Sequence, residues 1–193
     1  MKKLSIICAA ILLAACANTE THPRPVPQYV YQQYPVAQLN VGSIQVVEAY
    51  TMPMNKPNAE QLMPEPLPKA VANWARGHFK ATGGDGTLTI TIKDASVVEQ
   101  DLKRSKGLKG AVTIDQAELY NAHILVEFSV SNMSSGKEGS GQVNVSRSQS
   151  IAENASLQDR DVLWTGMEEK MMLDVDAAAQ TMLQQKLGFL LQK

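Results

Sequence analysis

The chain has 193 residues, one domain's worth once a leader is set aside, with 18 Lys and Arg against 19 Asp and Glu. That near balance offers no basic field for nucleic acid, which is excluded as a partner. Aromatic residues make up 5% and there are nine methionines, so the core must be largely aliphatic and Met-filled.

The chain opens with Met1-Lys2-Lys3, followed by "LSIICAAILLAA" and Cys16. The apolar run spans roughly 18 Å as a helix at about 1.5 Å per residue. A bilayer core needs roughly twenty apolar residues, so the run predicts a secretory leader and not a membrane span. Small residues at a cleavage point fit a peptidase pocket, and Ala14 and Ala15 supply them. An ordinary signal peptide cut elsewhere is the plainer alternative. The order Leu13-Ala14-Ala15-Cys16 resembles the lipobox of bacterial lipoproteins. The resemblance implies diacylglycerol on the Cys16 thiol, cleavage before it and acylation of the new amine. With Ala17 and not aspartate next, it also implies the periplasmic face of the outer membrane over the inner membrane. Cys8 would leave with the leader, so the mature chain is expected to hold no disulfide.

Residues 17–41 carry Pro23, Pro25, Pro27 and Pro35, which favour extended backbone. The organisation expected is a signal peptide over 1–15, a lipidated cysteine and Pro-rich tether over 16–42, and one domain over 43–193. "YVYQQYP" within the tether has three tyrosines and is a candidate for docking on a partner's groove. "SIQVVEAY" is β-branched and predicts a strand. After a Pro-punctuated loop, Leu67, Val71, Trp74 and His78 form one stripe of a helix over 67–80, with Trp74 a core anchor and His78 a boundary residue. Gly83-Gly84 is expected to end that helix.

"GTLTITIKDASV" alternates, with Leu88, Ile90 and Ile92 opposite Thr87, Thr89 and Thr91. A basic loop, "LKRSKGLKG", comes next. Tyr120, Ala122, Ile124, Val126, Phe128 and Val130 then mark a long strand, and "QVNVSRSQSI" returns as its hairpin partner. Thr165-Gly166-Met167-Glu168 has capping-box spacing, so the last helix is expected to start there. Met167, Met171, Val175, Ala178, Met182 and Phe189 would be its inner stripe, and Glu168, Glu169, Asp174 and Asp176 would face its positive end. The order β-α-β-β-β-α predicts an α+β fold, an antiparallel-rich four-stranded sheet with two helices on one face and a polar opposite face.

No catalytic constellation emerges, and the expectation is a protein that is not an enzyme and uses no cofactor. His22 lies in the tether, His78 on a helix and His123 on a polar strand face beside Asn121 and Glu127, so no metal site is expected. "TGGDGT" joins helix to strand, the reverse of a phosphate cradle, and reads as a turn. Lys103, Arg104, Lys106 and Lys109 concentrate four cations in the loop. They are either solvated charges that keep an edge from pairing or contacts for phosphate groups of an anionic glycolipid.

The anchor, the tether and the element order resemble auxiliary lipoproteins of ABC-type transport systems and the lipoprotein of the lipopolysaccharide-assembly barrel. "SRSQSIAENASLQDRDVLWTGMEEKMMLDVDAAAQTML" is similar to the C-terminal part of uncharacterised alphaproteobacterial lipoproteins. The resemblance implies a non-catalytic accessory subunit of an envelope transport or assembly complex that binds an envelope protein. The alternative is a binding module for an anionic glycolipid or other apolar ligand.

Overall fold

A computed structural model describes residues 35–103 and 115–191. Its strands are β1 (Ala37–Leu39), β2 (Ser43–Glu48), β3 (Phe79–Ala81), β4 (Thr87–Asp101), β5 (Gln116–Ser131) and β6 (Gly139–Ala152). Helix α1 (Leu67–His78) lies between β2 and β3, and α2 (Leu157–Lys186) follows β6. The main sheet has the order β2-β4-β5-β6, with β2 parallel to β4 and the other neighbours antiparallel. Both helices bury their apolar sides in one core with the inward faces of the strands. The expected α+β arrangement is therefore the one the chain adopts.

Alternation builds the sheet. Leu88, Ile90 and Ile92 are buried while Thr87, Thr89 and Thr91 are half-buried on the other face. The β4–β5 register then shifts between Ile92 and Asp94. This bulge at Lys93 reverses the phase, so odd residues Ala95 and Val97 turn inward beyond it. Every even position of β5 from Tyr120 to Val130 is buried, as its pattern predicted. The uncovered face carries polar side chains from three strands. His123 lies there, its ring nitrogens 2.8 Å from Asp94 Oδ2 and 3.0 Å from Asn144 Oδ1.

Three sequence expectations need correction. The last helix starts eight residues before Thr165, at Leu157, capped by Ser156. Ser156 Oγ accepts from the Asp159 amide at 3.1 Å, and Asp159 Oδ2 accepts from the Ser156 amide at 2.8 Å. The capping pattern is thus Ser-x-x-Asp, and Thr165 sits inside the helix. Glu168, Glu169, Asp174 and Asp176 are consequently mid-helix, and Glu168 and Asp176 are buried instead of facing the helix start. Second, α1 ends at His78, and Phe79 leads straight into β3. Third, Leu39 and Val41, which fall in the expected tether, are fully buried. Ala37–Leu39 pairs in parallel with Phe79–Ala81, and the Asn40 amide donates to Leu190 O at 2.8 Å. Three-residue strands beside Pro35 leave too short a period to read.

The "TGGDGT" segment is a turn, as expected. Gly83 and Gly86 have φ of +96° and +79°, where a side chain is strained, and a Cβ on Gly84 would lie 2.5 Å from the Asn40 backbone. Trp74 is a core anchor, 1% exposed. His78 is not at a boundary but 3% exposed, 3.2 Å from Asp176 Oδ1. Burial pushes its imidazole below the ordinary value, and the Asp176 carboxylate partly offsets that.

Candidate functional site

Four segments meet at one end of the sheet. β4 finishes and β5 starts there, with Asp101 opposite Glu118. The segment after Lys56 closes the outer side, because the Ala59 amide donates to Val97 O and the Glu99 amide to Pro57 O, both at 2.8 Å. The capped first turn of α2 closes the fourth side. Between them lies a cavity of about 280 Å³. Its charged wall is Lys56, Glu99, Glu118, Arg160 and Asp161, and its apolar wall is Leu62, Tyr120, Leu157 and Trp164. Leu157 is 81% exposed at the rim.

Four of the charged groups and Tyr120 are bonded in two sets, while Trp164 Nε1 is buried without a hydrogen-bond partner among the described residues. Arg160 donates through Nη1 to Glu118 Oε2 and through Nη2 to Glu118 Oε1 at 3.0 Å, a bidentate pair. Arg160 Nη1 also donates to Tyr120 Oη at 2.8 Å, and Tyr120 Oη donates to Glu118 Oε2 at 2.6 Å. Lys56 Nζ donates to Glu99 Oε1 at 2.6 Å. The Tyr120 ring meets Trp164 edge to face at 5.6 Å. The hydrogen bonds from Arg160 hold the Glu118 carboxyl below the usual glutamate range, against its partial burial. Burial, then the Glu118 bond, pushes the Tyr120 hydroxyl up.

A guanidinium already gripped on both nitrogens by one carboxylate is a poor trap for a free anion. The arrangement instead fixes the end of α2 against β5 and presents a rigid rim with exposed leucines. Arg160→Met is expected to destabilise the fold by about 2 kcal/mol, between the values for exposed and fully buried pairs. A depressed carboxyl contributes stability above its unfolded value and loses it as pH falls through the folded one. Wild type should therefore lose stability on acidification below about pH 4.5, and Arg160→Met should lose less over that range. Melting temperature against pH for the two proteins checks both expectations.

Lys103 is exposed at the end of β4, at this same end of the molecule, next to Leu102, whose amide donates to Ala117 O. Arg104, Lys106 and Lys109 lie outside the described residues, as do Cys16, His22 and all of the "YVYQQYP" segment but Pro35. Among the described residues, no group of three His, Cys, Asp or Glu side chains converges as metal ligands would. Sequence reasoning missed the Arg160–Glu118–Tyr120 cluster, whose members are 40 and 42 residues apart. One signal was present: a tyrosine at an inward strand position needs a partner for its hydroxyl.

A second buried polar cluster joins the two helices. Trp74 Nε1 donates to Asp176 Oδ1 at 3.2 Å and Gln180 Nε2 to Asp176 Oδ2 at 2.7 Å. His78 stacks on Trp74 with ring centroids 5.7 Å apart. With Trp74, His78 and Asp176 nearly inaccessible, this cluster is part of the core.

No protein-family model matches the sequence, and a search of curated proteins finds no match. Solved structures do match. The chain is similar to the rare lipoprotein B from Shewanella oneidensis at 14% identity and a TM-score of 0.39, over 74% of this chain and 94% of that one. It is similar to a DUF330 protein from Xanthomonas campestris at 10% identity and a TM-score of 0.38, over 78% and 87% of the two chains. A minor lipoprotein from Acinetobacter baumannii matches at 11% identity and a TM-score of 0.34, over 78% and 92%.

Proposed function

We propose that this protein is a lipid-anchored envelope lipoprotein, a non-catalytic accessory subunit that binds a protein partner in a transport or assembly complex. The observation that carries the reading is the order at the start of the chain: two lysines, a short apolar run, and Leu13-Ala14-Ala15-Cys16. Acylated Cys16 is the proposed anchor, with the periplasmic face of the outer membrane as the site. No helix among the described residues is long and apolar enough to cross a membrane. The cavity at this end of the sheet supports protein over small-molecule binding, because Arg160, Glu118, Tyr120, Lys56 and Glu99 on its wall already pair with one another. The test is purification of the tagged, full-length protein from detergent-solubilised membranes. A stoichiometric envelope protein that survives salt washing is the expected result; recovery of the chain alone would overturn the partner reading.

A second reading is favoured by Lys103, exposed just after β4, and the three cations that follow it in sequence, Arg104, Lys106 and Lys109. Each ammonium near an anionic surface contributes about 1 kcal/mol. On this reading, wild type binds micelles of an anionic glycolipid, more weakly as salt rises, and the quadruple change to glutamine reduces binding without moving the melting temperature. Failure of wild type to bind such micelles at low salt removes this reading and leaves the first.

A further inference from the structure

We propose that the free edge of β6, with the groove beside it, receives an extended, acidic segment of a partner protein as an added strand. The inference rests on the accessory-subunit reading and names the surface that serves it.

β6 ends the sheet and pairs only with β5 among the described residues. It runs for 14 residues, in unbroken register with β5 from Gly139 to Ile151. Exposed edges are usually blunted by proline, a bulge or protruding charge. β6 contains no proline, and its one charged residue, Arg147, turns to Asp174 of α2, with Nη2 2.6 Å from Oδ2. The opposite edge is different: β2 has six residues, and beyond it β4 is capped by the segment Pro57–Ala59.

On the core side of the β6 edge lies a groove of about 560 Å³. Gly141 and Gln142 form one wall, and Ala177, Ala178, Thr181 and Met182 form the other. Gly141 lets α2 approach, since a Cβ there would lie 2.3 Å from Met182 Sδ. A strand added to β6 puts every second side chain over this groove. Main-chain bonds to the edge then supply affinity, and the groove selects side chains.

The occupant is not a second copy pairing edge to edge. The inward side chains of β6, Val143, Val145 and Ile151, are already buried in their own core and would bring nothing to the groove. A partner segment with small aliphatic residues at alternate positions fills it. Charge sets the rest of its chemistry. Lys170, Asp174, Thr181 and Gln185 recur at helical spacing on the groove side of α2, with Lys186 lining the groove. Arg147 and Asp174 neutralise each other, which leaves the exposed Lys170 and Lys186 to set the charge on this side of α2, so acidic residues along the incoming strand are complementary.

The test uses the full-length chain in its own membranes, with a photo-crosslinking amino acid at Gln142, Thr181 or, at the far end, Leu157. Probes at Gln142 and Thr181 should give one protein adduct, joined through a segment with acidic residues and alternating aliphatic ones. Ala177→Glu with Thr181→Glu, both exposed positions, should cut the Gln142 adduct about tenfold at an unchanged melting temperature; Thr181→Glu alone serves if the pair melts early. An adduct to a second copy, an adduct to lipid alone, or a yield indifferent to these changes overturns the proposal. Protein adducts from Leu157 with none from Gln142 or Thr181 overturn this surface and spare the accessory-subunit reading. No protein adduct from any position overturns both.

Discussion

Trp74→Ala should cost about 3–5 kcal/mol, the range for removing a large aromatic side chain from a packed core. The ring is 1% exposed, stacks on His78 and meets Phe79 edge to face at 5.2 Å. Phe79 in turn meets Phe128 of β5 at 5.6 Å, so the indole is the first link of a ring chain from α1 into the sheet. The substitution also removes a donor from Asp176, a carboxylate 3% exposed that keeps Gln180 as a donor. Typical domains have about 5–15 kcal/mol in total, so the variant should unfold at a much lower denaturant concentration. Trp74→Phe keeps most of the volume and loses chiefly the bond to Asp176. It should cost about 1–2 kcal/mol. Chemical denaturation of the two variants separates packing from hydrogen bonding. An unchanged midpoint for Trp74→Ala would mean that the α1–α2 contact does not hold the fold.

Strands β4 to β6 and the core anchor of α1 were legible because each buries one face over a long period. Leu88, Ile90 and Ile92, and then the even positions of β5, announce their faces directly. The bulge at Lys93 was not legible, since one extra residue changes the phase without changing composition. The start of α2 was misread because two capping patterns lie within one helix: Ser156–Asp159 at the true end and Thr165–Glu168 inside it. Nothing local distinguishes them; packing decides, and it buries Glu168. Strands β1 and β3 are fixed by long-range pairing, which also engages Leu190 near the end of the chain. The same limit applies to the loop-end cavity. Nothing in the sequence singles out Arg160 or Lys56, and their roles come from Glu118 and Glu99, which the fold brings to them. The groove beside β6 shows in sequence only as small residues on a helix, a pattern without direction until the edge of the sheet is known.

Cys16→Ser is expected to have the largest effect on where the protein is found. Every buried CH₂ of an acyl chain contributes about 0.8 kcal/mol, so a single chain holds marginally and two or three hold for the life of the protein. Serine has no thiol to take diacylglycerol, and on the proposed reading cleavage before residue 16 depends on that cysteine. The variant should therefore remain as an unprocessed precursor or be released as a soluble chain. A variant that fractionates with membranes and is cut as wild type is would remove the anchor. The most direct measurement is the mass of the N-terminal peptide of the mature protein, taken from membranes of cells that express the wild-type chain. The account predicts a peptide that begins at Cys16 and carries a diacylglyceryl thioether. A mature chain that begins elsewhere, or at an unmodified Cys16, would contradict it.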